Sequence, residues 1–335
     1  MLLFPFLVKF HHWVKGFVLI LFSIVVVYSS LGAPKKVVFI AGPKSHGFFA
    51  HEHAAGCKLL AEHLEAANLG IKTLVVTDGG YPKNPSVLDD ADAVVVACDG
   101  GVRHLLNKHL ASFDKIMRKG VGLACIHYGV ETTKGPAGDH FLKWIGGYFE
   151  PFWSVNPVWN AEFNLIPTHP ISSGVQPFQM HDEWYYHMRF REATSAIGSI
   201  TPILSAHPPE NTMRRLKPGV ESHPHHGNPN VADAVLKRKE AQHVAWAYQR
   251  GQDYNYGRGF GFTGAHFHEN WASLDARRLV LNAIAWIAKV DIPDRGVTTK
   301  EVTFDDLLKN QDFPMPNNWN GRVKIEQKIE QFRKR

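Results

Sequence analysis

Four short apolar runs, each closed by a turn residue, limit what this chain can fold into. They are Lys36–Gly42 (KVVFIAG), Ile71–Thr77, Ala93–Cys98 and Val121–His127. Each is nearly continuous in apolar residues and rich in β-branched ones. Strands of that kind are buried on both faces, which is the mark of a parallel sheet with helices above and below it. The intervening stretches read as helices. His51–Asn68 places Ala55, Leu59, Leu60, His63 and Leu64 at helical spacing, and His104–Lys119 ends at Gly120. The order β-α-β-β-α-β therefore predicts an α/β fold with a mainly parallel sheet.

The remainder extends that pattern. Phe141–Gly147 reads as a short helix, Trp153–Leu165 as an alternating strand excursion, and Asp182–Tyr186 as the start of a further strand. Residues 207–230 are rich in Pro, His, Gly and Asn and read as an irregular loop. His243–Gln249 and Gly259–Gly264 read as a hairpin-like pair of strands, and Ser273–Lys289 as a helix. No internal repeat and no second core with its own linker is visible. One domain over 34–291 is expected, followed by a polar, partly helical tail over 292–335.

Residues 1–33 stand apart. A basic start, an apolar run from Phe17 to Tyr28 broken only by Ser23, and a small-residue exit at 29–33 suit a signal segment. The run is short for a membrane span. Export is expected, with the membrane touched only through this segment if it stays uncleaved. The net charge is +6, and much of the excess lies at the chain ends. No basic stripe interleaves with aromatics, so nucleic acid is not an expected partner. Cys57, Cys98 and Cys125 are too few and too far apart for a disulfide framework or a zinc signature.

Histidine is the compositional outlier, at 20 residues. Several stand at or just past the carboxyl ends of the expected strands, where ligands bind in open α/β sheets. These groups are Ser45-His46-Gly47 with His51, Glu52 and His53; Asp99-Gly100-Gly101; His127; and His266, His268 and Glu269. Asp182 and Glu183 can join them from the excursion. His127 occupies the strand tip, where other α/β enzymes carry a nucleophile. Cys125 lies about 6–7 Å lower along the strand.

The ordered pieces AGPKSHG (41–47), Asp99-Gly100-Gly101, GVGLACIHYG (120–129), WIGGYFE (144–150), THPI (168–171), DEWYY (182–186) and GFTGAHFHENW (261–271) resemble the ThuA-like (trehalose utilisation) family over about residues 36–291. The resemblance implies a flavodoxin-like sheet, similar to class I glutamine amidotransferases, with His127 where those enzymes carry their cysteine. It also implies a small-molecule carbohydrate partner, in particular a disaccharide oxidised to a 3-keto form.

The residues leave the chemistry open. His127, Asp182 and Glu183 are the expected catalytic groups. His46, Asp99, Gly100, Trp184, Tyr185 and His268 are expected to meet the substrate. His46, His127 and His266, with one of the two carboxylates, would suit a divalent transition metal such as Zn, Mn or Fe. A metal-free site with His127 as acid-base group stands beside that reading. His51 and His53, two apart on an expected helix, should diverge. Lyase, hydrolase or isomerase chemistry beside a sugar carbonyl, carbohydrate binding without catalysis, and thiol amidohydrolysis through Cys125 are the functions considered.

Overall fold

A computed structural model describes residues 33–192, 198–213, 223–226 and 229–334. The apolar N-terminal segment lies outside them. The first half contains β1 (Lys35–Ala41), α1 (His53–Ala66), β2 (Ile71–Val76), β3 (Ala93–Ala97), α2 (Leu110–Arg118), β4 (Gly122–Ile126), α3 (Pro136–Trp144), β5 (Gly147–Tyr148) and β6 (Val158–Phe163). The second half contains β7 (Phe178–Glu183), β8 (Arg189–Phe190), β9 (Gly198–Ala206), α4 (Pro229–Ala232), β10 (Gln242–Arg250), β11 (Arg258–Phe262), α5 (Leu274–Ile287), α6 (Phe304–Leu307) and α7 (Arg322–Arg333).

The central sheet has the order β2-β1-β3-β4-β11-β10-β9. Its first five strands are mutually parallel. That is the flavodoxin-like order, and the chain reverses its direction of travel across the sheet between β1 and β3. β10 and β9 extend the sheet antiparallel. The apolar runs are buried on both faces, as their composition requires. Val37, Phe39, Val95, Ala124 and Ile126 pack with Leu60 and Leu64 of α1 and Leu279 and Ile284 of α5. Val38, Ile40, Val96, Leu123 and Cys125 pack with Phe113 and Met117 of α2 and Phe141 and Trp144 of α3. Each such side chain stabilises the fold by roughly 1.5–3 kcal/mol before entropy is subtracted.

Several boundaries differ from the sequence reading, and β7 ends at Glu183 where the sequence predicts a strand running on through Tyr186. The second helix starts at Leu110, not His104. His104 is spent on a buried cross-link: Nε2–H donates to Gly129 O (3.0 Å), and Nδ1 accepts from Leu106 N–H (3.1 Å). The third helix starts earlier, at Pro136, because proline suits the first helical turn. The excursion is a β6–β7 hairpin whose Trp159, Ala161 and Phe163 point inward. Residues beyond 291 fold back on the core. Val297, Val302, Phe304, Leu307, Ile325 and Ile329 are all buried.

Buried histidine gives the fold an acid-sensitive core. Burial holds His53, His63, His104 and His268 each down at about 4. The unfolded chain, with imidazoles near 6.5, takes up protons first as the pH falls. Stability from these groups is therefore complete above about pH 6.5 and is lost as the pH drops toward 4. One enclosed imidazole contributes on the order of 3 kcal/mol. The urea midpoint is expected to fall steeply between pH 7 and pH 5; a flat midpoint would show that these imidazoles titrate normally.

Candidate functional site

The loops after β1, β3, β4 and β11 meet at the carboxyl edge of the sheet. The β1–β3 switch point brings the 42–52 loop beside Asp99. His127 follows the last residue of β4 with φ 50° and so turns out of the strand register. Its Nδ1 lies 2.7 Å from Thr263 O, just past β11. A carbonyl can only accept, so Nδ1 carries a proton, and Nε2 faces the crevice.

His51 arrives from the loop before α1. The loop is folded by Glu52, whose Oε1 accepts from Phe49 N–H (3.0 Å) and whose Oε2 accepts from Asp312 N–H (2.6 Å). His51 takes φ 52°, and its N–H donates to His266 O (3.0 Å). His266 is aimed by Asp182. That carboxylate is fully buried and accepts from the N–H groups of Ala265 (2.6 Å), His266 (3.1 Å) and Phe267 (3.4 Å). Glu183 projects into the crevice from the end of β7.

Four donor atoms converge. His51 Nε2 lies 3.0 Å from His127 Nε2 and 2.9 Å from His266 Nδ1. Glu183 Oε2 lies 3.0 Å from His266 Nδ1 and 3.5 Å from His127 Nε2. All four fall within 4.8 Å of one another. Tyr185 Oη is 3.3 Å from His127 Nε2. Burial keeps that phenol protonated far beyond its ordinary range. Behind His51, Asp99 Oδ1 stands 3.7 Å from Nδ1, and neither atom has a hydrogen-bond partner. Asp99 Oδ2 pairs with Arg103 at 3.0 Å.

The electrostatics are those of closely packed titratable groups. Burial, together with the neighbouring imidazoles, drives His51 down to about 2, so it is neutral. Burial opposes charge on His266, but Glu183 outweighs it and raises that imidazole. Burial would raise Glu183 too, yet His127 and His266 hold it well below the carboxylate range.

The structure brings together His127, Glu183, His266 and Tyr185 from the sequence reading. His46 sits at the exposed mouth, its ring 3.6 Å from that of His51, and groups with His51 and Asp99 instead of with the four converging atoms. Asp182 supports the loop through backbone bonds and does not face the crevice. Two expected substrate contacts are corrected. Trp184 is fully buried, donating to Met180 O (3.0 Å), because its indole fills the core beneath the hairpin. His268 is enclosed beneath Phe49, since the turn after Phe267 points it inward. Gly100 packs against Tyr128 and Glu131. Cys125 is fully buried, and burial raises its thiol well above the ordinary range, which removes it as a nucleophile. His51 is named with His46, Glu52 and His53 among the crevice-side groups but is given no ligand role there, because a helix beginning at His51 would turn it away from His53; α1 starts only at His53, and the glycine and paired phenylalanines before it are the available sign of a tight loop.

A family model described as trehalose utilisation, ThuA, matches residues 37–287. Among solved structures, a ThuA-like protein from Parabacteroides merdae aligns with a TM-score of 0.51 at 13% identity, covering 82% of this chain and 99% of that one. A ThuA-like protein from Bacteroides uniformis aligns with a TM-score of 0.50 at 16% identity, covering 79% and 95%. A glutamine amidotransferase from Thermotoga maritima aligns with a TM-score of 0.40 at 10% identity, covering 76% and 98%. No curated protein matches the chain.

Asp182 offers a direct test of how the site is held. Replacing it with alanine strands four backbone donors, those of Glu183, Ala265, His266 and Phe267, and is expected to cost about 2–3 kcal/mol. In hydrogen exchange, the amides of Ala265, His266 and Phe267 should lose protection before the central strands do. Unchanged protection there would show that the loop holds itself.

Proposed function

The chain belongs to the ThuA (trehalose utilisation) family, and from that premise we propose that it is an enzyme of carbohydrate catabolism whose crevice takes one divalent transition metal. The ligands would be His51, His127, Glu183 and His266. Membership of the family points to carbohydrate metabolism; the metal, the reaction and the 3-keto-sugar substrate are our reading.

The convergence of four donor atoms carries it. Tetrahedral coordination with bonds near 2.0–2.1 Å sets ligand atoms about 3.3 Å apart. Four of the separations here run from 2.9 to 3.5 Å, and all stay within 4.8 Å. Three imidazoles and one carboxylate suit Zn, Mn or Fe(II). With Nδ1–H donating to Thr263 O, His127 as a ligand brings the unshared pair on Nε2. With Asp99 behind Nδ1, neutral His51 favours its proton there, which turns a second unshared pair toward the first. Two such pairs 3.0 Å apart repel unless a cation or proton lies between them. Asp99 and Thr263 O are then the outer groups that orient these two rings.

When bound, such an ion supplies Lewis-acid polarisation of a carbonyl oxygen. The chain's own residues do the rest. Tyr185, kept as a phenol, donates a hydrogen bond at the cluster. His46 and Arg103 stand at the mouth, where hydroxyl groups of a sugar would enter. This supports lyase, hydrolase or isomerase chemistry next to a sugar carbonyl. The basic start and apolar run of the N-terminal segment support export of the protein, released or anchored.

Elemental analysis of the purified chain should find one Zn, Mn or Fe per molecule. His127→Ala and Glu183→Gln should abolish retention, and Asp99→Asn should weaken it roughly 10–100-fold. A chain that stays metal-free after incubation with each ion would refute the site. Calorimetry and product analysis with 3-keto and ordinary disaccharides separate catalysis from binding; binding without product would make this a carbohydrate-binding protein.

A further inference from the structure

Beside the four converging atoms stands an acid-base pair that the proposed metal site does not use. Glu131 is 2% exposed, and its Oε1 lies 3.2 Å from Nε2 of His225. Among the described residues, no lysine or arginine pairs with it. Burying a carboxylate against a single imidazole is costly unless the arrangement has a use. Burial pushes the Glu131 carboxyl up, and Glu131 in turn raises His225.

The chain makes room for this pair. A Cβ on Gly100 would lie 2.7 Å from Glu131 Cβ, and one on Gly101 would lie 3.0 Å from Oε1. The Asp99-Gly100-Gly101 motif is thus the notch into which Glu131 fits. His225 is pinned from three sides. Asn156 N–H donates to His225 O (3.2 Å), Phe152 N–H donates to Pro224 O (3.0 Å), and His225 N–H donates to His223 Nδ1 (3.1 Å). Its side chain nonetheless stays one-third exposed.

The pair borders the same crevice, close enough for the Glu183 charge to act on both Glu131 and His225. The Tyr128 ring flanks both groups, 5.6 Å from the His51 ring and 6.4 Å from the His225 ring. On the other side, the Phe149 ring is 5.7 Å from His225 and 5.2 Å from Tyr185. Tyr128 on one side, and Phe149 with Tyr185 on the other, thus flank both His225 and the cluster.

We propose that His225, oriented by Glu131, is the proton-transfer group of this crevice, acting on the carbon next to the carbonyl held at the four-ligand site. The inference rests on the carbonyl-sugar reading above. The Glu131 carboxylate accepts from Nε2–H, which leaves Nδ1 as the basic atom. Nδ1 takes the proton from the carbon, and the C–H electron pair moves through the carbon–carbon bond onto the carbonyl oxygen, giving an enolate. His225 becomes an imidazolium facing Glu131, and returning the proton reverses the step. His225 is the catalytic residue and Glu131 a positioning residue.

The test uses the full, metal-loaded chain with a 3-keto-disaccharide in D2O, with NMR reading exchange of the C–H beside the carbonyl. His225→Gln and Glu131→Gln should slow exchange by about 10²–10⁴-fold with bound metal unchanged. Added imidazole should restore part of the rate in His225→Ala, which a structural role would not allow. His225→Gln, on a partly exposed segment, decides the matter if the buried Glu131 variant does not fold. Variants exchanging at the parent rate overturn this pair and leave the metal reading standing. A metal-loaded parent that exchanges nothing overturns both the pair and the keto-sugar reading.

Discussion

Nitrogen lone pairs do not stay together unaided. The carboxyl edge of this sheet is organised around holding imidazole nitrogens of His127 and His266 each within about one hydrogen-bond length of His51 Nε2, beside Glu183. Each is fixed from behind. Thr263 O holds His127, the carboxylate of Asp182 holds the backbone of His266, and Glu52 folds the loop that delivers His51. These supports are buried polar groups engaged with backbone atoms. They draw on the rigidity of the parallel sheet below them, and that rigidity comes from the doubly buried apolar strands.

The backbone carries part of the cost. His46, Phe49, His51, His127 and Ala265 all adopt positive φ, and none is glycine. Residues held there cost on the order of 1–3 kcal/mol each and persist only where their surroundings over-determine them. All five lie in the loops that build the crevice. At His127 the consequence is geometric: a strand continuing past Ile126 would send the ring into the layer that holds Cys125, and the left-handed turn lifts it clear.

The sheet was legible because burial on both faces writes itself into composition, and order along the chain then limits topology. His127 was legible for the same reason, being the first polar residue after a buried strand. His51 was not. Its place depends on a left-handed turn and on a contact with residue 312, neither of which leaves a local pattern. Trp184 and Tyr185 show the limit from another side. They are neighbours with similar composition, yet one fills the core and the other reaches His127, because adjacent positions leave a hairpin end in opposite directions. The functional weight of Asp99-Gly100-Gly101 was hidden too, since the glycines make space for a side chain thirty residues further on.

The link between Glu52 and the backbone of Asp312 spans 260 residues of sequence. A chain emerging from its N-terminus can build β1 through β4 early, but the loop bearing His51 has its full set of partners only after the segment beyond α6 has been made and has docked. Closing so long a loop is slow relative to forming local structure. The crevice is therefore incomplete until that segment has docked. Any ion or sugar it takes would be selected by the finished protein, after the scaffold has already committed to its fold.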